Sequence, residues 1–171
     1  MKLRNFCEAD AKPMLEWMHD AEVNRFFLED FAHKTMKDVQ AFLYDAEDAS
    51  SSLHYAVCDD ADAYQGTISL KHIDPAAGAA EYAIVLRRQA QGKGYARFAT
   101  REILRIAFEE KGLQEVYLNV LEQNQRAVRF YERMGFRRND ALRDEISWRG
   151  KPAVRLWYEM TEETYRLATY G

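Results

Sequence analysis

The stretch Gln89-Ala90-Gln91-Gly92-Lys93-Gly94-Tyr95-Ala96 decides how this sequence folds. The apolar run at residues 82–86 leads into it and has the composition of a buried strand. Residues 95–111 follow it with apolar side chains at the spacing of an amphipathic helix. The sequence therefore predicts a strand, a glycine loop and a helix, in that order.

This order is suited to binding an anion at the start of the helix. The first helical turn has backbone N–H groups without intrahelical acceptors, and it carries the positive end of the helix dipole. Phosphate groups commonly bind at such a place. Gly92 and Gly94 allow positive φ and close approach of a ligand, and Lys93 adds a cation at the rim. The alternative is an ordinary loop in which the glycines only turn the chain.

Two well-known phosphate-binding motifs do not fit this loop. A dinucleotide fingerprint requires a third Gly or Ala three residues after Gly94, and that position holds Arg97. A P-loop requires Gly-Lys-Ser/Thr, which occurs nowhere in the sequence. The loop is therefore of another kind.

The pattern that fits is Gln-x-x-Gly-x-Gly at residues 89–94, which resembles the pyrophosphate loop of the GCN5-related N-acetyltransferase (GNAT) superfamily. Residues 124–136 resemble a second segment of that superfamily, Asn-x-x-Ala-x-x-x-Tyr-x-x-x-Gly-Phe. Within the superfamily, residues 80–82 and 91–94 look most like the spermidine and diamine acetyltransferases. The N-acetyltransferases that modify ribosomal-protein alanines come next.

The resemblance implies a fold of the α/β (α+β) class. Its central sheet is mixed and mostly antiparallel, with about seven strands that splay between the fourth and fifth and are flanked by helices. We expect residues 1–171 to form a single acyl-CoA N-acyltransferase domain. The spacing also predicts two helix starts, one capped by Asp10 and one by a capping box at Thr35-Met36-Lys37-Asp38. A strand at 115–121 is predicted to run parallel to the strand that ends at Leu86.

Composition excludes several classes of protein. The chain has 171 residues, of which 47% are hydrophobic and 30% charged, as in a globular protein. A net charge of −4 argues against a nucleic-acid partner. No apolar run is long enough to cross a membrane and the start does not resemble a secretory signal, so we expect a cytoplasmic protein. Cys7 and Cys58 are expected to be half-buried apolar side chains, and the scattered histidines predict no metal site.

The resemblance implies acetyl-CoA (coenzyme A) as the cofactor. The diphosphate is expected at the backbone amides of the loop, and the pantetheine arm beside the end of the preceding strand. Asn124 matches the superfamily's asparagine that bonds the cofactor arm, and Gln89 is expected to hold the loop. The full set of predicted cofactor-binding residues is Ile84, Val85, Leu86, Gln89, Gln91, Gly92, Lys93, Gly94, Tyr95, Ala96 and Asn124.

Two residues are candidates for catalysis. Tyr131 occupies the motif position at which many members of the superfamily carry a general acid, so we expect it to protonate the departing thiolate. The alternative is a buried tyrosine that packs beside Phe130. Glu81 lies near the start of the strand that leads to the loop and could deprotonate the amine through water. It could instead serve as a counter-ion for the amine or have only a structural role.

These residues predict an acetyl-CoA-dependent N-acetyltransferase. The expected acceptor is the primary amine of a small molecule or a peptide: a polyamine, a protein N-terminus, an aminoglycoside or an amino sugar. Direct transfer in a ternary complex is expected, and the chain could form a homodimer. The alternative is a non-catalytic acyl-CoA-binding sensor of the same fold.

Overall fold

The computed structural model describes residues 1–47 and 50–170. The chain forms two compact units, each built from separate stretches of sequence. Unit 1 comprises Met1–His72 and Ala83–Ile103, and unit 2 comprises Ile73–Tyr82 and Leu104–Gly171. No helix in the described ranges is long and apolar enough to cross a membrane.

The secondary structure comprises both strands and helices. The strands are β1 (Lys2–Arg4), β2 (Leu53–Cys58), β3 (Tyr64–Asp74), β4 (Ala79–Leu86), β5 (Glu115–Leu121), β6 (Arg137–Arg138), β7 (Asp144–Trp148) and β8 (Lys151–Thr161). The helices are α1 (Ala11–Met18), α2 (Met36–Asp45), α3 (Tyr95–Arg105), α4 (Gln125–Arg133) and α5 (Glu162–Tyr170). A π-helical turn, Ile106–Glu110, continues α3.

The strands form one mixed sheet in the order β1-β2-β3-β4-β5-β8-β6, with β7 paired to β8. β4 and β5 are parallel, as predicted, and their register comprises Ala79↔Glu115, Ala80↔Val116 and Glu81↔Tyr117. The register ends there although both strands continue, which is the splay that the resemblance implies. The fold class is confirmed, with eight strands because the expected final hairpin includes the two-residue strand β6.

The core of unit 1 lies against α1 and α2. Met14 and Trp17 of α1 are buried together with Val39 of α2 and Cys58 of β2. The Trp17 indole N–H donates to the Tyr64 hydroxyl at 2.9 Å, so the polar edge of the ring is satisfied inside the core.

Unit 2 is built on the long antiparallel pair of β5 and β8. Its seven register pairs run from Glu115↔Thr161 to Leu121↔Arg155. Side chains alternate along β5, so Val116, Leu118 and Val120 are buried while the intervening residues are partly exposed. One face of this pair therefore packs into the core, and the other is available for function.

The structure confirms some local predictions and corrects others. The capping box is present, since Thr35 accepts from the Asp38 N–H and donates its own N–H to the Asp38 carboxylate. The predicted side-chain cap by Asp10 is wrong, because its carboxylate instead binds the Arg4 guanidinium and the Cys7 N–H.

The prediction for the cysteines was also wrong. Cys58 is fully buried, and burial raises the pKa of its thiol to about 11. Cys7 is exposed.

Candidate active site

The glycine loop in unit 1 has the backbone geometry that the sequence predicts. A short 3₁₀ turn, Arg88–Ala90, follows β4, and α3 begins at Tyr95. Gly92 has φ +76° and Gly94 has φ +88°, values in the left-handed region that other residues rarely adopt. A Cβ on Gly92 would meet nothing within 4 Å, so the backbone is open to a ligand at this point.

The backbone amides of the loop are suited to binding an anion. The Phe98 N–H donates to the Gly94 carbonyl oxygen at 3.1 Å and is the first of the helix to find an acceptor. In the described chain, none of the backbone N–H groups from Gly92 to Arg97 makes a hydrogen bond of normal geometry. These groups and the exposed Lys93 ammonium therefore fit the diphosphate of a coenzyme.

Side chains that the sequence analysis missed hold this loop. Arg87 donates through Nη2 to both carboxylate oxygens of Glu16 in α1, at 3.0 and 2.9 Å, and through Nη1 to the Tyr64 carbonyl at 3.2 Å. Arg88 pairs with Asp20, just after α1, and this contact lowers the pKa of the Asp20 carboxyl. Two arginines thus fix the start of the loop to one short segment of unit 1.

Gln89 belongs to the same network. When its carboxamide oxygen is turned toward Arg87, that oxygen accepts from Nη2 at 2.6 Å and from Nε at 3.1 Å. The Gln91 carboxamide lies 3.5 Å from the Leu86 carbonyl oxygen, which is too long for a strong hydrogen bond. The contact of Gln89 with Arg87 is consistent with its predicted role in holding the loop.

The strand before the loop is tightly packed against β3. Ile84, Val85 and Leu86 are partly exposed, and Val85 also packs against the core of unit 1. A Cβ on Gly66 of β3 would lie 2.2 Å from the Val85 carbonyl oxygen and 2.6 Å from Leu86 Cδ2. Gly66 therefore permits an approach between two strands that no other residue allows, and the sequence analysis missed it.

Tyr131 lies on α4 in unit 2, within a cluster of aromatic rings. Its ring centroid lies 5.8 Å from that of Tyr82, 5.5 Å from that of Phe130 and 6.0 Å from that of Phe136. Burial raises the pKa of the phenol to about 12. Within the described residues its hydroxyl has no hydrogen-bond partner. The ring is thus packed, as the structural alternative requires, while the hydroxyl keeps its proton and can donate it.

Glu81 lies on β4 in unit 2 and is oriented by a neighbour on β5. The Asn119 Nδ2 group donates to Glu81 Oε1 at 3.0 Å. The negative charge of Glu81 also acts on the Arg155 guanidinium of β8, whose pKa is raised first by its hydrogen bond to Asp144. Asn119 is a further residue of the site that the sequence analysis missed.

Asn124 has the local role that its position predicts. It is the N-cap of α4, and its side chain accepts from the Ala127 N–H at 3.3 Å. Its predicted contact with the cofactor arm remains a prediction. Within residues 1–47 and 50–170, no group of His, Cys, Asp or Glu side chains is arranged to hold a metal ion.

Comparison with known proteins identifies the family. The model of the family described as "Acetyltransferase (GNAT) domain" matches residues 1–137 of this chain. The chain belongs to the GNAT acetyltransferases. As a member of this family it is an N-acetyltransferase with acetyl-CoA as its acetyl donor.

Similar proteins include curated spermidine N(1)-acetyltransferases. The enzyme of Vibrio cholerae is 28% identical over 138 residues, which cover 81% of this chain and 73% of the relative. The enzyme of Escherichia coli K12 is 25% identical over 151 residues, which cover 88% and 80% of the two chains. A crystal structure of the Vibrio cholerae spermidine N-acetyltransferase with CoA and spermine covers 96% of both chains with a TM-score of 0.87 and 21% identity, which supports the GNAT fold.

Proposed function

We propose that this N-acetyltransferase transfers an acetyl group to a primary amine of spermidine or a related polyamine, by direct transfer in a ternary complex. Two curated relatives, at 28% and 25% identity, are spermidine N(1)-acetyltransferases. A polyamine is a flexible chain that carries several ammonium groups at neutral pH. An enzyme that binds it requires negative charge close to the reacting amine.

The observation that carries the proposal is the negative charge around Tyr117 of β5. Burial raises the pKa of this phenol, and the carboxylates of Glu81, Glu115 and Asp74 raise it further. Three carboxylates thus act on one side chain of unit 2. Such a surface attracts an ammonium group and disfavours anionic acceptors.

The loop and its anchors would hold the donor. The N–H groups from Gly92 to Arg97 would bind the diphosphate, and Lys93 would add a positive charge. Arg87 and Arg88 would keep the loop in shape through Glu16 and Asp20. Acetyl-CoA, when bound, supplies a thioester that an amine can attack.

Two side chains of unit 2 would move the protons. Glu81, oriented by Asn119, would accept a proton from the substrate ammonium, directly or through water, so that the neutral amine can attack. Tyr131 would donate its phenolic proton to the departing sulfur. Its raised pKa means that the proton is present throughout the neutral range.

An assay of free thiol with a panel of acceptors tests the proposal. The purified protein is mixed with acetyl-CoA and with spermidine, spermine, an aminoglycoside, an amino sugar or an N-terminal peptide. We expect thiol release with the polyamines, and mass spectrometry should show one added acetyl group on the amine. Release with only the peptide or the sugars would contradict the polyamine assignment. Binding of acetyl-CoA without release in any arm would contradict the proposed catalysis.

Cytoplasmic localisation, a homodimer and a single domain over residues 1–171 remain predictions. Sedimentation of the purified protein would test whether it forms a homodimer. A homodimer predicts a single species of about twice the chain mass, which is 20.0 kDa.

A further inference from the structure

A cleft of about 230 Å³ opens in unit 2 between β5, β8 and the segment that joins β6 to β7. The side chains used in the argument below are Glu115, Tyr117, Asn139, Leu142, Trp157 and Glu159, all of which line the cleft. The predicted cofactor-binding and catalytic residues include none of them.

The sheet register places this cleft on the same face as Glu81. Glu81 is the register partner of Tyr117, and Tyr117 is the register partner of Glu159. Register partners on neighbouring strands project to the same side of a sheet. Glu115 precedes Tyr117 by two residues and therefore projects to that side as well.

The walls of the cleft are suited to a cation with an alkyl chain. The ring centroids of Tyr117 and Trp157 lie 6.3 Å apart, and Leu142 adds an exposed apolar side chain. The Arg155 guanidinium carbon lies 4.9 Å from the Trp157 ring centroid, so this indole already accepts a cation over one face. Aromatic rings and methylene groups pack well, whereas a bare hard cation requires six or more oxygen ligands.

The charges of the cleft are also suited to a cation. Asn139 Nδ2 donates to Glu159 Oε2 at 3.1 Å, which holds that carboxylate in place. Burial raises the pKa of the Glu115 carboxyl, and the negative charge of Glu159 raises it further. Arg155 and Arg137 also project to this face: Arg155 is bound to Asp144, and Arg137 is the exposed register partner of Glu159 on β6.

We propose that this cleft binds a second ammonium group of the acceptor while the amine to be acetylated lies at Glu81. The inference rests on the proposed function and extends it to the residues that select a long polyamine. Glu81 and Glu159 are separated by two strand spacings, about 10 Å. An extended spermidine or spermine can span this separation, whereas putrescine is too short and a monoamine lacks the second charge.

Two isosteric variants test the cleft. Glu115→Gln and Glu159→Gln each remove one negative charge, and Glu163→Gln, at an exposed position in the first turn of α5, is the matched control. We expect KM for spermidine to rise about tenfold in each cleft variant, while KM for acetyl-CoA stays unchanged and the kcat/KM for propylamine falls by less than that for spermidine. Glu163→Gln should behave as wild type. An unchanged KM for spermidine in both cleft variants would overturn the proposal.

A binding measurement separates this proposal from the proposed function. Calorimetry with spermidine, without donor, compares the wild type with the double variant Glu115→Gln/Glu159→Gln. Weaker binding to the double variant supports the cleft even if the wild type acetylates no amine. Turnover of spermidine by the wild type with equal binding to both proteins overturns the cleft alone. Thermal unfolding checks that the variants are folded, and an unfolded double variant leaves the two single variants to decide.

Discussion

The glycine loop of unit 1 and the strand face of unit 2 are two different kinds of candidate site. The loop offers backbone N–H groups, and its glycines allow positive φ rather than contributing side chains. The face around Glu81 offers side chains whose positions depend on strand register and on neighbours such as Asn119. A backbone site is therefore sensitive to changes in conformation, and a side-chain site is sensitive to the loss of a single polar atom.

The largest effect is expected at the side-chain site, with Tyr131→Phe. The change keeps the aromatic packing and removes the hydroxyl that is proposed to protonate the departing sulfur. We expect kcat to fall by about 10²- to 10³-fold, the usual contribution of a general acid, while Kd for acetyl-CoA stays within about twofold. The measurement is steady-state thiol release together with calorimetry.

Tyr44→Phe is the matched control, because Tyr44 is 79% exposed and the change removes the same atom. It should leave kcat unchanged. Wild-type turnover in Tyr131→Phe would remove the assigned role and leave Tyr131 with packing alone.

The next effect is expected from the strand that leads to the loop, with Gly66→Ala. The added methyl group would lie 2.2 Å from the Val85 carbonyl oxygen, so β3 and β4 would have to separate. We expect the free energy of unfolding to fall by about 3 kcal/mol, as for other overpacked positions. Urea denaturation followed by circular dichroism measures it.

Gly112→Ala controls for the loss of glycine itself. It introduces a Cβ at φ +64° with nothing within 4 Å, so only backbone strain of about 1 kcal/mol is expected. Equal destabilisation by the two changes would show that β3 and β4 are not as closely packed as described.

A smaller effect, on binding alone, is expected at the backbone site with Gly94→Ala. A Cβ at φ +88° costs about 1–2 kcal/mol, and relief of that strain would move the N–H groups that are proposed to bind the diphosphate. We expect Kd for acetyl-CoA to rise about tenfold, with kcat at saturating donor nearly unchanged.

Gly150→Ala, in the turn between β7 and β8, is the control at a similar φ of +75°. It should not alter donor affinity. If Gly94→Ala lowered kcat as strongly as Tyr131→Phe, the distinction between a binding loop and a chemical face would fail.

The smallest effect is expected in the pH profile, in which kcat should not decline at alkaline pH. Burial raises the pKa of Tyr131 to about 12, so the folded protein keeps the phenol protonated beyond about pH 10, where an ordinary tyrosine ionises. The protonated form of Tyr131 is therefore present at lower pH and is lost only as pH rises toward the raised pKa. We expect kcat at saturating substrates to stay level from about pH 8 to about pH 10.

The profile is measured at saturating acetyl-CoA and spermidine, with circular dichroism at each pH to confirm folding. A decline of kcat centred near pH 9 that is absent in Tyr131→Phe would show that the phenol has a much lower pKa in the working enzyme.

The same contrast explains what could be predicted from the sequence. Gly92 and Gly94 were identified because the need for positive φ is expressed in residue type, and the loop, its helix and the parallel strand β5 follow from local patterns. Thr35 was identified for the same reason, since a capping box is contained within four residues.

The contacts that support the loop and the face could not be predicted in this way. Arg87 and Glu16 are separated by 71 positions in sequence, and Asn119 and Glu81 by 38. Such pairs are set by how strands and helices pack, which residue type and spacing do not encode. Asp10 shows the reverse case, because a residue suited to capping was drawn to Arg4 by a stronger, charge-assisted interaction.

The ion pairs of Arg87 with Glu16 and of Arg88 with Asp20 matter for anyone who engineers this scaffold. Glu16 and Asp20 lie between β1 and β2, so a chimera that exchanges this segment for that of a relative would replace both carboxylates. A graft that discards Glu16 and Asp20 would remove the ion-pair partners of Arg87 and Arg88 and so loosen the loop that is proposed to bind the donor. Transplants that retain these two carboxylates, or that bring compatible arginine partners with them, are the ones to build first.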